Sequence, residues 1–173
     1  MKQFPTLSIG PLADVDTAAV EALLDAAFGG DRRQRTAYRL RTGVAAIAPL
    51  SLAAHDDTGV LIGCIQCWPV AHRADTGTVT PLVLVGPVAV APAVQRGGIG
   101  GRLMAAMLDA AGEAPMLLIG DPEYYGRFGF TATRTGAWRL PGPFEAHRLL
   151  ARGPVPRGAG DILPGTDVSP RSC

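Results

Sequence analysis

The chain has 173 residues with a formal net charge of +1, and its 47% hydrophobic and 18% charged content excludes a disordered polar chain. Near-neutrality gives no electrostatic reason to expect nucleic acid as a partner. Lys2 is the only lysine, so a P-loop lysine and an internal Schiff-base lysine both drop out. The longest apolar run, residues 81–94, is interrupted by Gly86, Pro87 and Pro92 and is too short to span a bilayer. No apolar run follows the N-terminus in the manner of a signal peptide. Three cysteines, an odd number, argue against a disulfide framework. The expectation is one cytoplasmic domain without membrane contact.

In chain order, residues 14–28 carry Val20, Leu23, Leu24 and Ala27 at helical spacing and stop at Gly29-Gly30. Residues 32–41 suggest a second, strongly basic helix ending at Gly43; the stretch from Asp31 to Arg41 holds five arginines and one aspartate. It reads as a solvated face with Ala37 and Leu40 turned inward. Residues 51–55 and 60–68 read as two strands joined by the turn Asp56-Asp57-Thr58-Gly59. Residues 78–90 read as a buried central strand, with Gly86-Pro87 marking a bulge because proline cannot donate to a ladder. Residues 99–111 form a helix whose stripe is Ile99, Leu103, Ala106, Met107 and Ala110, capped by Gly112. Residues 115–119 are a short buried strand, residues 121–128 a short helix begun by Asp121 and Pro122. Phe130 opens another strand, and residues 147–151 the last one. Residues 153–173, with four glycines and four prolines, read as a tail that builds no core. The domain proper is then residues 1–152, an α+β (mixed α/β) fold around one mostly antiparallel sheet.

Cys64 and Cys67 form a Cys-x-x-Cys, but strand residues three apart face opposite sides, so they read as packing residues rather than a redox pair or zinc ligands. No metal is expected.

The chemistry concentrates in Gln95-Arg96-Gly97-Gly98-Ile99-Gly100-Gly101-Arg102, between the buried strand and the long helix. Glycines inside a helix cost about 1 kcal/mol each relative to alanine. They belong where a backbone approaches a ligand closely, and a helix N-terminus favours phosphate. Arg96 and Arg102 add positive charge. Taken alone, such a turn also suits a tight strand-to-helix connection. It matches neither a dinucleotide fingerprint nor a Walker loop.

With the preceding run from Gly86, this Gln/Arg-x-x-Gly-x-Gly/Ala pattern resembles the GNAT superfamily of acetyl-CoA-dependent N-acetyltransferases. Tyr125-Gly126-Arg127-Phe128-Gly129-Phe130 is similar to that superfamily's Tyr-x-x-x-Gly-Phe stretch. Gly120-Asp121-Pro122-Glu123 before it and Leu140-Pro141-Gly142-Pro143 after it resemble a bacterial, YhbS-like branch of predicted acetyltransferases. The resemblance implies a sheet with a splayed parallel pair, helices on both faces, and acetyl-CoA as cosubstrate. It implies contacts from Val88, Ala89 and Val90, with the peptide groups of Val88 and Val90 pairing with pantetheine. It also implies a diphosphate held at Gln95, Arg96, Gly97, Gly98, Ile99, Gly100 and Gly101, and Tyr125 as proton donor to the thiolate. The acceptor would be an unidentified amine, and a homodimer is compatible.

Many relatives carry a glutamate on the central strand, whereas residues 82–90 here have no ionisable side chain. Glu123, Asp121, His72 and His55 remain as base candidates. The missing glutamate keeps a second expectation open, a non-catalytic acyl-CoA-binding regulatory domain. A nucleotide-binding protein using the same turn is a third, weaker one.

Overall fold

A computed structural model describes residues 6–165 of the chain. Its strands are β1 (Ser8–Pro11), β2 (Leu52–His55), β3 (Leu61–Ala74), β4 (Val79–Val90), β5 (Met116–Ile119), β6 (Trp138–Arg139), β7 (Leu149–Arg152) and β8 (Gly160–Pro164). The helices are α1 (Thr17–Phe28), α2 (Thr36–Arg39), α3 (Ile99–Ala111) and α4 (Pro122–Tyr125). The hydrogen-bonded strand order is β1-β2-β3-β4-β5-β7, with β8 pairing β3 and β6. Among the described residues no helix is long and apolar enough to cross a membrane.

The chain forms two compact units, and both β3 and β4 contribute to each. One takes the described residues up to 32 together with 47–67 and 87–112. Here β2 pairs antiparallel with β1 and β3, and α1 buries Val20, Leu23 and Leu24 against Ala53, Cys64 and Ala89. The β2–β3 turn forms as its sequence demands: the Asp56 carboxylate accepts from the Thr58 N–H at 2.9 Å and the Val60 N–H at 3.0 Å. α1 ends at Gly29, whose φ of +86° only glycine adopts freely.

The other unit takes residues 33–46, 68–86 and 113–165. β4 pairs in parallel with β5 at Val83↔Met116 and Leu84↔Leu117, and β5 pairs antiparallel with β7. Its core gathers Leu40, Val70, Leu82, Leu84, Leu117, Trp138, Leu149 and Ile162.

Several sequence expectations need correction. The basic stretch is not one helix: a 3-10 turn (Gly30–Gln34) precedes the single turn of α2. Nor is it all a solvated face, because Arg32 is buried and ion-paired to Glu21 and Asp25 of α1. Along α3 the buried residues are Ile99, Leu103, Met104 and Met107, so Met104 takes the place expected of Ala110. Phe130 is buried but opens no strand; Thr131 makes only an isolated bridge to Ala151.

The largest departure is at the C-terminal end. Residues 153–165 are not a tail: β8 pairs antiparallel with β3 from Val70↔Pro164 to Ala74↔Gly160, and parallel with β6. Ile162 and Val155 lie in the core. Glycine is required at the start of β8, since a Cβ on Gly160 would sit 2.5 Å from His72 Nε2 and 2.6 Å from the Arg73 carbonyl. The rest of the expected tail, residues 166–173, lies outside the described residues.

Candidate active site

The glycine turn is built almost entirely from backbone. Pro92 starts a 3-10 turn (Pro92–Gly97), and Gly98 follows in the left-handed region at φ +73°. The first helical bond of α3 runs from the Arg102 N–H to the Gly98 carbonyl at 3.1 Å. No side chain caps this helix start, so its leading N–H groups point outward without an intrahelical partner. Gln95, Arg96, Gly97 and Gly98 are exposed, while Gly100 and Gly101 are half-buried. A Cβ on Gly98 would meet nothing within 4 Å. Open N–H groups, the positive end of a helix and the exposed Arg96 and Arg102 together suit a diphosphate.

Ile99 offers the turn only its backbone. Its side chain is buried against β3, where a Cβ on Gly63 would lie 2.9 Å from Ile99 Cγ2 and 3.1 Å from Leu103 Cδ1. The missing Gly63 side chain is what lets α3 lie on the strand.

The end of β4 has two unlike edges. The Ala91 N–H bonds the Ile62 carbonyl of β3 at 2.8 Å. The Ala89 carbonyl also faces β3, 3.2 Å from where a Gly63 Cβ would sit. Peptide groups alternate along a strand, so those of Val88 and Val90 face the opposite edge. The Ala89 peptide is turned to β3, and its methyl is buried in the cluster that holds Cys64. Burial pushes the Cys64 and Cys67 thiols up to about 12, as packing residues require.

Earlier on β4, Gly86 adopts φ +132°, and its carbonyl accepts from the Trp68 indole N–H at 2.9 Å. The Arg41 guanidinium lies 4.8 Å from the Trp68 ring and 3.8 Å from the Tyr38 ring. α2 also holds the Pro141-Gly142-Pro143 loop: Arg39 donates to the Pro141 carbonyl at 2.7 Å, and Thr36 to the Pro143 carbonyl. Sequence reasoning missed Tyr38, Arg41 and Trp68, because nothing in their spacing shows a stack made from two separate elements.

Tyr125 closes α4. The Asp121 carboxylate caps this helix by accepting from the Glu123 N–H at 3.0 Å, with Pro122 in the first turn. The Tyr125 ring lies directly on the Gly120 backbone, edge-on to Tyr124 at 4.9 Å and to Phe130 at 6.4 Å. Burial pushes the phenol up to about 12, with Tyr124 adding to the rise. Tyr125 therefore stays neutral, as a hydrogen-bond donor must.

The base candidates fare less well. Asp121 is exposed and serves as a cap, and Glu123 is exposed in the first turn of α4. His55 ends β2. His72 is wholly buried, 5.2 Å from the Trp138 ring, and neither ring nitrogen has a hydrogen-bond partner among the described residues. It is a core residue.

A family model described as an acetyltransferase (GNAT) domain matches residues 49–132. The uncharacterized N-acetyltransferase YhbS of Escherichia coli K12 is 32% identical over 143 residues, 78% of this chain and 83% of that protein. The chain belongs to the GNAT family of N-acetyltransferases. Among solved structures, E. coli YhbS in complex with CoA shares the fold at a TM-score of 0.72, with 24% identity over 93% of this chain and 92% of that one. A GNAT acetyltransferase from Brucella melitensis in complex with acetyl-CoA matches at a TM-score of 0.65, with 28% identity over 91% and 95%. The mixed sheet, its parallel β4–β5 pair and its helices are those of the GNAT fold.

Proposed function

We propose that this chain moves the acetyl group of acetyl-CoA onto an amine of a small molecule or peptide, by direct attack in a ternary complex. The observation that carries the proposal is the uncapped, exposed start of α3 beside a β4 edge whose Val88 and Val90 peptides are turned away from β3. In this reading the N–H groups of residues 97–101 hold the CoA diphosphate, and Arg96 and Arg102 add charge. The Val88 carbonyl and the Val90 peptide pair with the pantetheine amides, and the Val88 N–H is left to polarise the thioester carbonyl.

The amine nitrogen attacks the carbonyl carbon, the C–S bond breaks, and the amine loses a proton. A lysine-like amine of pKa about 10.4 is mostly charged at pH 7, and freeing it costs about 5 kcal/mol. With no assigned base, that proton passes to water, and the rate rises with pH towards the amine's own pKa. Tyr125 serves the leaving group. Full transfer from a phenol of about 12 to a thiolate of pKa about 8.5 is uphill by about 5 kcal/mol. Tyr125 therefore stabilises the departing thiolate by donating a hydrogen bond and keeps its proton.

The test follows CoA release from acetyl-CoA over a panel of primary amines, for the native chain and Tyr125→Phe. Native turnover with at least one amine is expected, with kcat in Tyr125→Phe lower by about ten- to a hundredfold and acetyl-CoA affinity unchanged. Equal turnover by the two proteins removes Tyr125 from the reaction. Thermal stabilisation by CoA without turnover of any amine favours the non-catalytic acyl-CoA-binding reading, which the lack of an ionisable side chain at residues 82–90 supports.

A further inference from the structure

Between the β5-paired residues of β4, Val83 and Leu84, and Val88 lies a peptide unit held in an unusual way. Gly86 sits at φ +132°, a torsion that a side chain would strain, and glycine by itself does not hold one conformation. Pro87 has no N–H, so the carbonyl is the only hydrogen-bonding group of the Gly86–Pro87 peptide. That carbonyl is taken by the Trp68 indole N–H at 2.9 Å. The ring of Pro87 fixes its φ near −65°, so one free torsion separates this peptide plane from the next. The next N–H is that of Val88. With the Gly86 carbonyl held, the Val88 N–H can turn only about the Pro87 ψ torsion, so the carbonyl's direction restricts where that N–H points.

Trp68 is itself well held. It packs against the core around Val70, Leu82 and Leu84, and Arg41 lies against its ring while also covering Tyr38. We infer that Trp68 is a positioning residue for acetyl transfer: its indole N–H fixes the Gly86 carbonyl and so aims the Val88 N–H at the thioester oxygen. Arg41 and Tyr38 seat the indole. This rests on the reading given under Proposed function, in which Val88 polarises the thioester.

The experiment uses acetyl-CoA labelled with carbon-13 at the acetyl carbonyl and reads its C=O stretch by difference infrared spectroscopy on the intact protein. In the native chain the bound stretch falls below that of free acetyl-CoA. Trp68→Phe keeps a ring but loses the donor. It loses most of that fall, keeps acetyl-CoA affinity within about twofold, and lowers kcat on the best amine by about tenfold. Arg41→Gln leaves the indole in place but loosens its seat, and loses part of the fall. A native chain that binds no acetyl-CoA, or shows no fall, defeats the reading of Val88 itself. A native fall retained in full by Trp68→Phe defeats the role of Trp68 alone. If Trp68→Phe does not fold, as judged by its thermal melt, Arg41→Gln decides: a partial loss supports the inference and a full fall overturns it.

Discussion

α3 follows β4 through a 3-10 turn and α4 follows β5 closely, yet their first turns are finished in opposite ways. α4 is closed: Asp121 accepts from the Glu123 N–H, and Pro122 occupies a position where no N–H is needed. α3 is open: it starts on Gly98 with no capping side chain and exposed residues on its approach. An uncapped N-terminus forgoes roughly 1 kcal/mol of cap stabilisation. In return it leaves N–H groups and a partial positive charge for an anion. The closed start of α4 gives up anion binding, and what it presents is a side chain, Tyr125, at a fixed place over Gly120. In the proposed reaction one helix start works through its backbone and the other as a platform.

The strongest way to break this comparison is to close α3 against anions. Gly97 suits the purpose because a Cβ there would meet only Ile99, at an ordinary 3.8 Å. Gly97→Glu should fold with an unchanged melting temperature. A carboxylate beside the proposed diphosphate site should weaken CoA by about a hundredfold, measured by calorimetric titration. Gly97→Ala, of the same backbone consequence but without charge, should lose far less. Equal losses would mean that bulk rather than charge decides the site.

A second break attacks how α3 is held. Gly63→Ala places a Cβ against Ile99 Cγ2, Leu103 Cδ1 and the Ala89 carbonyl, all between 2.9 and 3.2 Å. The two side chains can shift but the carbonyl cannot, so overpacking should cost about 2 kcal/mol and lower the melting temperature by roughly 5 °C. CoA affinity should fall in step, because the open turn is continuous with the displaced helix. A lower melting temperature with native affinity would separate the seat of α3 from its function.

Both helix starts were legible in the sequence, and for the same reason: caps, prolines and glycines act within a few residues, so their chemistry is written locally. α3 and its Gly112 stop emerged as expected, as did the Asp56 turn and the Asp121 cap. What failed was long-range. Arg32 looked like one charge in a basic run, whereas it is buried by two acids of α1. Glu21 and Asp25, four residues apart and so on one helix face, were the available hint. The glycines and prolines of residues 153–165 read as a tail because composition records turn tendency and not pairing. Gly160 is there because His72 leaves no room for a Cβ, a demand set by a strand 88 residues away. The stack of Arg41 between Tyr38 and Trp68 is of the same kind.

The smallest expected effect sharpens the platform side. Gly120 has no left-handed torsion, so alanine suits its backbone, but a Cβ would strike the Tyr125 ring and come within 3.2 Å of Leu118 Cδ1. Tyr125, at the end of a four-residue helix, is the group that yields. Gly120→Ala should therefore lower kcat about fivefold to tenfold at nearly native stability. Displacement also exposes the phenol. Because burial is the chief cause of its rise to about 12, exposure should bring its ultraviolet titration down towards the ordinary value near 10. The decisive comparison is the double variant: if Gly120 acts only through Tyr125, adding Gly120→Ala to Tyr125→Phe should change kcat little. A multiplicative loss would show that Gly120 acts by another route and that α4 is no mere platform for one ring.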